Sequence, residues 1–127
     1  NVLDRCHDPG SLLDAAVSAL EPGGLLLLAT VLPFRAIVYE GEKGSEWGKP
    51  RWVRPHSPLV LSRKPTRKQR SSSSFEMNAS FFLEAILRRH PQLELIRWTR
   101  LPYVSSGDVA YTHYTIDMAL MVLRLPR

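Results

Sequence analysis

Three consecutive features at the start of this sequence predict an α/β fold of the doubly wound type. Pro22-Gly23-Gly24 opens a continuous apolar run, Leu25 to Phe34, which closes at Leu32-Pro33-Phe34. A run this short and continuous fits a strand buried on both faces, as in parallel sheets with helices on either side, and is not expected at a sheet edge. Before it lies a stretch with helical spacing, Ser11 to Leu20, and before that the polar cluster Asn1-Val2-Leu3-Asp4-Arg5-Cys6. Strand end, polar loop, helix and central strand, in that order, make half of a doubly wound unit whose chemistry belongs at the C-terminal ends of its strands.

The helix has two candidate starts. Asp8-Pro9 offers an N-cap with proline at the first helical position, and Ser11 with Asp14 three residues later offers a capping box. Leu13, Ala16, Val17 and Leu20 then recur on one face, and Pro22-Gly23-Gly24 ends the helix and turns the chain into the strand. Arg35 to Pro50 carries too many Gly, Glu and Lys to prolong that strand, and Gly41, Gly44 and Gly48 around Trp47 predict a loop anchored by one aromatic side chain. Arg51 to Ser74 is rich in Pro and Arg and ends in four serines, which predicts disorder except at Leu59-Val60-Leu61.

A second helix is expected from an N-cap at Asn78, with Phe82, Ala85, Ile86 and Arg89 on one side and His90-Pro91 as its stop. Leu93 to Leu101 reads as a strand ended by Pro102, which leaves Tyr103 exposed at its exit. Thr115 to Leu125 is ambiguous: Met118, Ala119, Leu120 and Met121 favour helix, while apolar residues on both faces suit a buried strand. As a strand it would pair with Leu93 to Leu101 through the loop at Gly107, which is too short for a parallel crossover, so the pair would be antiparallel.

The 127 residues suffice for one core and not for two. A sheet whose first strand is central also leads us to expect the C-terminal part of a larger domain. Cys6 stands alone, so no internal disulfide forms, and the longest apolar run is about half of the roughly 18 to 20 residues that cross a bilayer. The net charge of +5 is local. Seven Arg or Lys and no Asp or Glu lie between Arg51 and Ser74, and the remaining ten basic and twelve acidic residues leave the rest at −2.

Candidate chemistry gathers at the expected strand exits, with Asn1 and Asp4 in the first polar cluster and Tyr103 after the strand that begins at Leu93. In an open α/β sheet this is the ligand edge. Asp4 could equally cap a helix or pair with Arg5, and Tyr103 could be a turn aromatic packed on the core. His7, His56, His90 and His113 show no ligand spacing, and Cys6-His7 lacks a second pair, so no zinc site is expected. There is no serine nucleophile elbow, and Gly23-Gly24 precedes a strand where a phosphate loop would follow one.

Several of these segments together carry a family resemblance: Asn1-Val2-Leu3-Asp4-Arg5-Cys6, Leu12-Leu13, Val31-Leu32-Pro33-Phe34, Trp47 with Lys49-Pro50, and Thr99-Arg100-Leu101-Pro102-Tyr103 before Gly107-Asp108. They resemble the DREV family, protein-histidine N-methyltransferases of the methyltransferase-like protein 9 type. The match runs from Asn1 to about Lys49 and from about Phe82 to Leu125, with Tyr111, Tyr114 and Asp117 in the closing pattern.

The resemblance implies the C-terminal half of a class I, Rossmann-like, seven-strand domain that ends in an antiparallel strand pair, which makes the last element a strand. It implies S-adenosyl-L-methionine as cofactor, with Asn1 and Tyr103 at the cofactor and Asp4 holding the acceptor histidine. The implied partners are proteins with His-x-His motifs, a motif this chain lacks, and no specific nucleic acid. The family's Gly-rich first cofactor motif does not occur in these residues, so the chain alone is expected neither to bind cofactor nor to turn over. Arg51 to Ser74 stands as a basic insertion where the family has a short linker, and His7 where it more often has an acid. The competing reading is a non-catalytic module that binds nucleic acid or acidic surfaces through residues 51–74, where Trp52 and Phe75 are the nearby stacking aromatics.

Overall fold

The computed structural model describes residues 2–40, 51–56, 59, 74–107 and 110–127. Asn1, the predicted loop at Trp47, Val60-Leu61, the basic residues from Arg63 to Arg70, and Asp108 lie outside them.

Helix α1, Pro9–Ser18, starts where the proline start predicts. The Asp8 carboxylate accepts from the Ser11 amide at 2.9 Å and from the Ser11 hydroxyl at 2.8 Å, which satisfies a donor that the helix leaves unpaired. Asp14, the rival capping partner, turns instead toward Arg89. Helix α2, Phe75–Arg89, begins earlier than predicted. Ser74 is its N-cap and accepts from the Met77 amide at 3.2 Å, while Asn78 sits one turn inside and donates back to the Ser74 carbonyl at 3.0 Å. The last of four serines thus wins the cap because its short hydroxyl reaches the backbone of the first turn. His90 ends the helix as expected.

Strands β1 (Leu25–Val31), β4 (Glu94–Ser106) and β5 (His113–Arg124) form one sheet in the order β1-β5-β4, with both pairings antiparallel. The closing hairpin is therefore present as expected, and Thr115 to Leu125 is strand. Because β1 and β4 both oppose β5, they run parallel to each other, and the chain passes from one to the other through α2. Turn residues lock the far end of this arrangement. Gly23 has φ +86, a value that side chains disfavour, and its amide donates to the Leu125 carbonyl at 2.7 Å while Leu125 donates to Gly24 at 3.0 Å.

Two expectations about strands are corrected. Among the described residues β1 is an edge strand, with β5 in the centre, and only one of its faces is covered. Leu28 and Thr30 are buried against the helices, whereas Leu25 and Leu27 on the opposite face are 54% and 62% exposed. An apolar run thus reports strand type and not position in the sheet, because pairing depends on residues far away in sequence. Likewise Pro102 does not end β4, which runs on through Tyr103 to Ser106. A proline lacking an amide hydrogen is tolerated on an edge strand, where that side needs no ladder partner.

The core lies between the sheet and both helices. Leu13 and Val17 of α1, Ala79, Phe82 and Ile86 of α2, and Leu28, Ala119, Met121 and Leu123 of the sheet form it. Phe34, just past β1, packs on Phe82 with ring centroids 5.0 Å apart. At the helix ends Arg89 lies over Gly10 and grips Asp14 with two 2.6 Å hydrogen bonds. A bulge between Leu95 and Arg97 leaves Ile96 without a partner on β5.

Between β1 and α2 the chain makes a small ribbon that sequence patterning did not predict. Val38–Glu40 (β2) pairs antiparallel with Arg51–Val53 (β3), so part of the expected loop and the first residues of the expected disordered insertion are strand. Val38 is buried, as is Leu59, which joins the main core in line with the expectation at Leu59-Val60-Leu61. Three-residue strands carry little local signal and form because each supplies the other's backbone partners.

Candidate functional site

Residues 2 to 8 form a compact turn ahead of α1, held by an Arg5 amide to Val2 carbonyl bond of 3.0 Å and by Leu3, whose side chain enters the core. Within this turn Asp4 is 4% exposed. Its backbone carbonyl accepts from the Ile37 amide at 2.9 Å, which sets it beside the chain as it leaves the C-terminal end of β1. The side chain does not cap α1, since Asp8 does. Arg5 approaches Asp4 Oδ2 to 3.8 Å, a loose contact from a half-exposed side chain, and Asp4 Oδ1 is buried with no hydrogen-bond partner. A carboxylate oxygen left unmade in the interior costs about 1–3 kcal/mol.

Tyr103 lies at the same end of the sheet. Val31, the last residue of β1, aligns through Met118 with Leu101 of β4, so Tyr103 stands just beyond the C-terminal end of the parallel pair, opposite Ile116. It is half-buried within a strand and not exposed after one. Asp4 thus lies beside the chain leaving the C-terminal end of β1, and Tyr103 lies on β4 just past the level of that end. Asn1, the third candidate, lies outside the described residues.

The structure also joins residues that spacing kept apart. His7 and His56 stack with ring centroids 4.9 Å apart and an interplanar angle of 18°, and the His56 amide donates to the His7 carbonyl at 2.8 Å. Nothing local could reveal this, because His56 reaches the turn only through the folded ribbon. No cluster of three or more metal-ligating side chains occurs among the described residues.

The shifted ionisable groups lie elsewhere. The Asp14 carboxyl is held below the usual range by hydrogen bonding to Arg89, opposed in part by desolvation, and His90 adds a further lowering. His90 Nε2 stands 2.9 Å from Asp14 Oδ1, close enough for an ion pair yet not directed as a hydrogen bond. Asp117, across from Pro102, is lowered chiefly by its hydrogen bond from Arg100, and the guanidinium of Arg100 also lies 4.8 Å from the centre of the Phe75 ring. These pairs brace the walls of the sheet and do not touch Asp4.

A buried, unsatisfied carboxylate and a tyrosine at the C-terminal edge of a parallel strand pair fit group transfer at that edge. The family model described as DREV methyltransferase matches residues 1–125. This chain belongs to the DREV methyltransferase family. Membership places it among proteins of enzymatic methyl transfer and implies an S-adenosylmethionine-type methyl donor. The matched span takes in both halves of the sequence that carried the resemblance.

Proposed function

We propose that this DREV methyltransferase chain forms the acceptor side of a protein-histidine N-methyltransferase that uses S-adenosyl-L-methionine and acts on His-x-His motifs in proteins. The observation that carries the reading is Asp4, buried at the ligand edge with Oδ1 unpartnered. That oxygen accepts the N–H of a neutral acceptor imidazole. The bond fixes the tautomer, so the other ring nitrogen keeps its lone pair for attack, and the carboxylate stabilises the positive charge that spreads over the ring as the new bond forms. S-adenosylmethionine, when bound, supplies the methyl group. Tyr103 and Asn1 are the residues of this chain that would hold it, and their contribution is orientation, since a displacement at a methyl carbon gains most from alignment.

The arrangement of strands supports a further part of this reading, that residues 1–127 are the C-terminal part of one seven-strand domain. Two parallel strands with an antiparallel strand between them, and a β1 edge flanked by the exposed Leu25 and Leu27, suit continuation of the sheet on the β1 side. The Gly-rich cofactor turn would belong to that continuation. The test is mass spectrometry of His-x-His peptides incubated with full-length protein and cofactor, read residue by residue. Methylation on histidine is expected. Methyl groups found only on lysine, arginine or nucleic acid would overturn the reading, and salt-sensitive nucleic-acid retention lost on deleting residues 51–74, without methylation, would favour the binding-module alternative.

A further inference from the structure

We propose that the β2–β3 ribbon is a clamp on the Asp4 turn, and that His56 is a positioning residue acting on Asp4 through His7. The inference builds on the role proposed for Asp4 but rests on separate contacts. The ribbon meets the turn at two points that straddle the acid. At one, Ile37, next to Val38 of β2, donates its amide to the Asp4 carbonyl at 2.9 Å; at the other, His56, three residues past Val53 of β3, donates its amide to the His7 carbonyl at 2.8 Å. The two strands are tied to each other by their own ladder, so the two contacts form one rigid bracket around residues 4 to 7.

Buried side chains flank the ribbon. Val38 of β2 is 6% exposed, and Leu59, three residues after His56, is 7% exposed and belongs to the main core. A side-chain contact also joins it to the turn, the His7–His56 stack at 4.9 Å and 18°. Its neighbours on the turn are Asp4, Arg5, Cys6 and Asp8, and on the ribbon Arg54. Cys6 Sγ points back to the Leu3 carbonyl at 3.7 Å, and the Asp8 carboxylate caps α1. The ring contact adds a side-chain link to the two backbone bonds. A carboxylate kept buried without a hydrogen bond on Oδ1 needs such a joint, because a free turn would swing that oxygen toward water.

The experiment uses the full-length protein with His56→Ala and His56→Phe. Hydrogen–deuterium exchange is read in peptides covering residues 2–8 and 36–40, alongside α2 and β5 as references, and methyl-transfer kinetics are measured with peptide acceptors. His56→Ala is expected to speed exchange in the turn and in β2 by about three- to tenfold, the range of one aromatic contact, with the references unchanged. The turnover number should fall by a similar factor with cofactor affinity retained, and His56→Phe, which keeps a stacking ring, should restore both. Unchanged exchange in His56→Ala, a rise shared equally by α2 and β5, or no recovery in His56→Phe would each overturn the clamp. The exchange data decide this even if the protein proves inactive on histidine peptides, an outcome that would remove the proposed reaction and leave the clamp standing.

Discussion

Asp4→Asn separates the chemical role of the carboxylate from its structural cost. Asp4 is 4% exposed, its Oδ1 is unpartnered, and the nearest cation is Arg5 at 3.8 Å from Oδ2. An oxygen about 3 Å from an imidazole N–H, with about half a charge developed on the ring and an effective dielectric of about 20, contributes about 3 kcal/mol to the transition state. Asparagine keeps an acceptor of the same shape but loses the charge. The turnover number should therefore fall by about 10², while cofactor affinity, which this side chain does not set, stays the same. The fold should respond in the opposite sense. Replacing a buried charge that lacks a hydrogen bond by a neutral amide should gain about 1 kcal/mol, raising the unfolding midpoint by about 3 °C in the full-length protein. Single-turnover methylation, titration calorimetry with cofactor and thermal unfolding measure the three quantities. Wild-type turnover in the variant, or a midpoint lowered by several degrees together with lost cofactor binding, would refute the argument and make Asp4 a structural residue.

Phe82 is fully buried and packs on Phe34, so Phe82→Ala should cost about 3–5 kcal/mol and lower the urea midpoint with the slope unchanged; a loss below about 1 kcal/mol would show that the α2–sheet core is misassigned. Acid should also weaken the fold through its ion pairs. Asp14 and Asp117 have carboxyl values depressed in the folded state by Arg89 and Arg100, so their stabilisation is complete above the unfolded value near 4 and is lost as pH falls through the lower folded values. Urea midpoints measured from pH 6 downward should drop less steeply in the Asp14→Asn/Asp117→Asn double variant than in wild type, and identical slopes would count against this account.

How much could be read without coordinates depended on the reach of each interaction. Asp8-Pro9 and His90-Pro91 were legible as helix ends because a cap is decided within about one turn, by a side chain and the amides that follow it. The same logic placed the second cap wrongly at Asn78, since Ser74 competes within the same few residues and only geometry ranks them. The resemblance carried by the Asn1-Val2-Leu3-Asp4 and Leu101-Pro102-Tyr103 segments named the family whose model matches residues 1–125. It also turned Thr115 to Leu125, ambiguous by propensity, into the strand that the structure contains.

What local patterning left open was everything that depends on partners distant in the chain. The apolar run Leu25–Val31 announces a strand, but not its partner, which is β5 near the other end of the chain, where Arg124 pairs with Leu25. Pro102 stops a strand only where its missing amide hydrogen would be needed, and β4 lies at the edge, where it is not. Asp14 and Arg89 meet across 75 residues, and the ribbon and the His7–His56 stack exist only because β2 and β3 find each other. Capping and turn formation are short-range, so composition and spacing narrow them to a few residues. Pairing and the burial of Asp4 arise from contacts between separate segments, whose free energy exists only once the chain has closed upon itself.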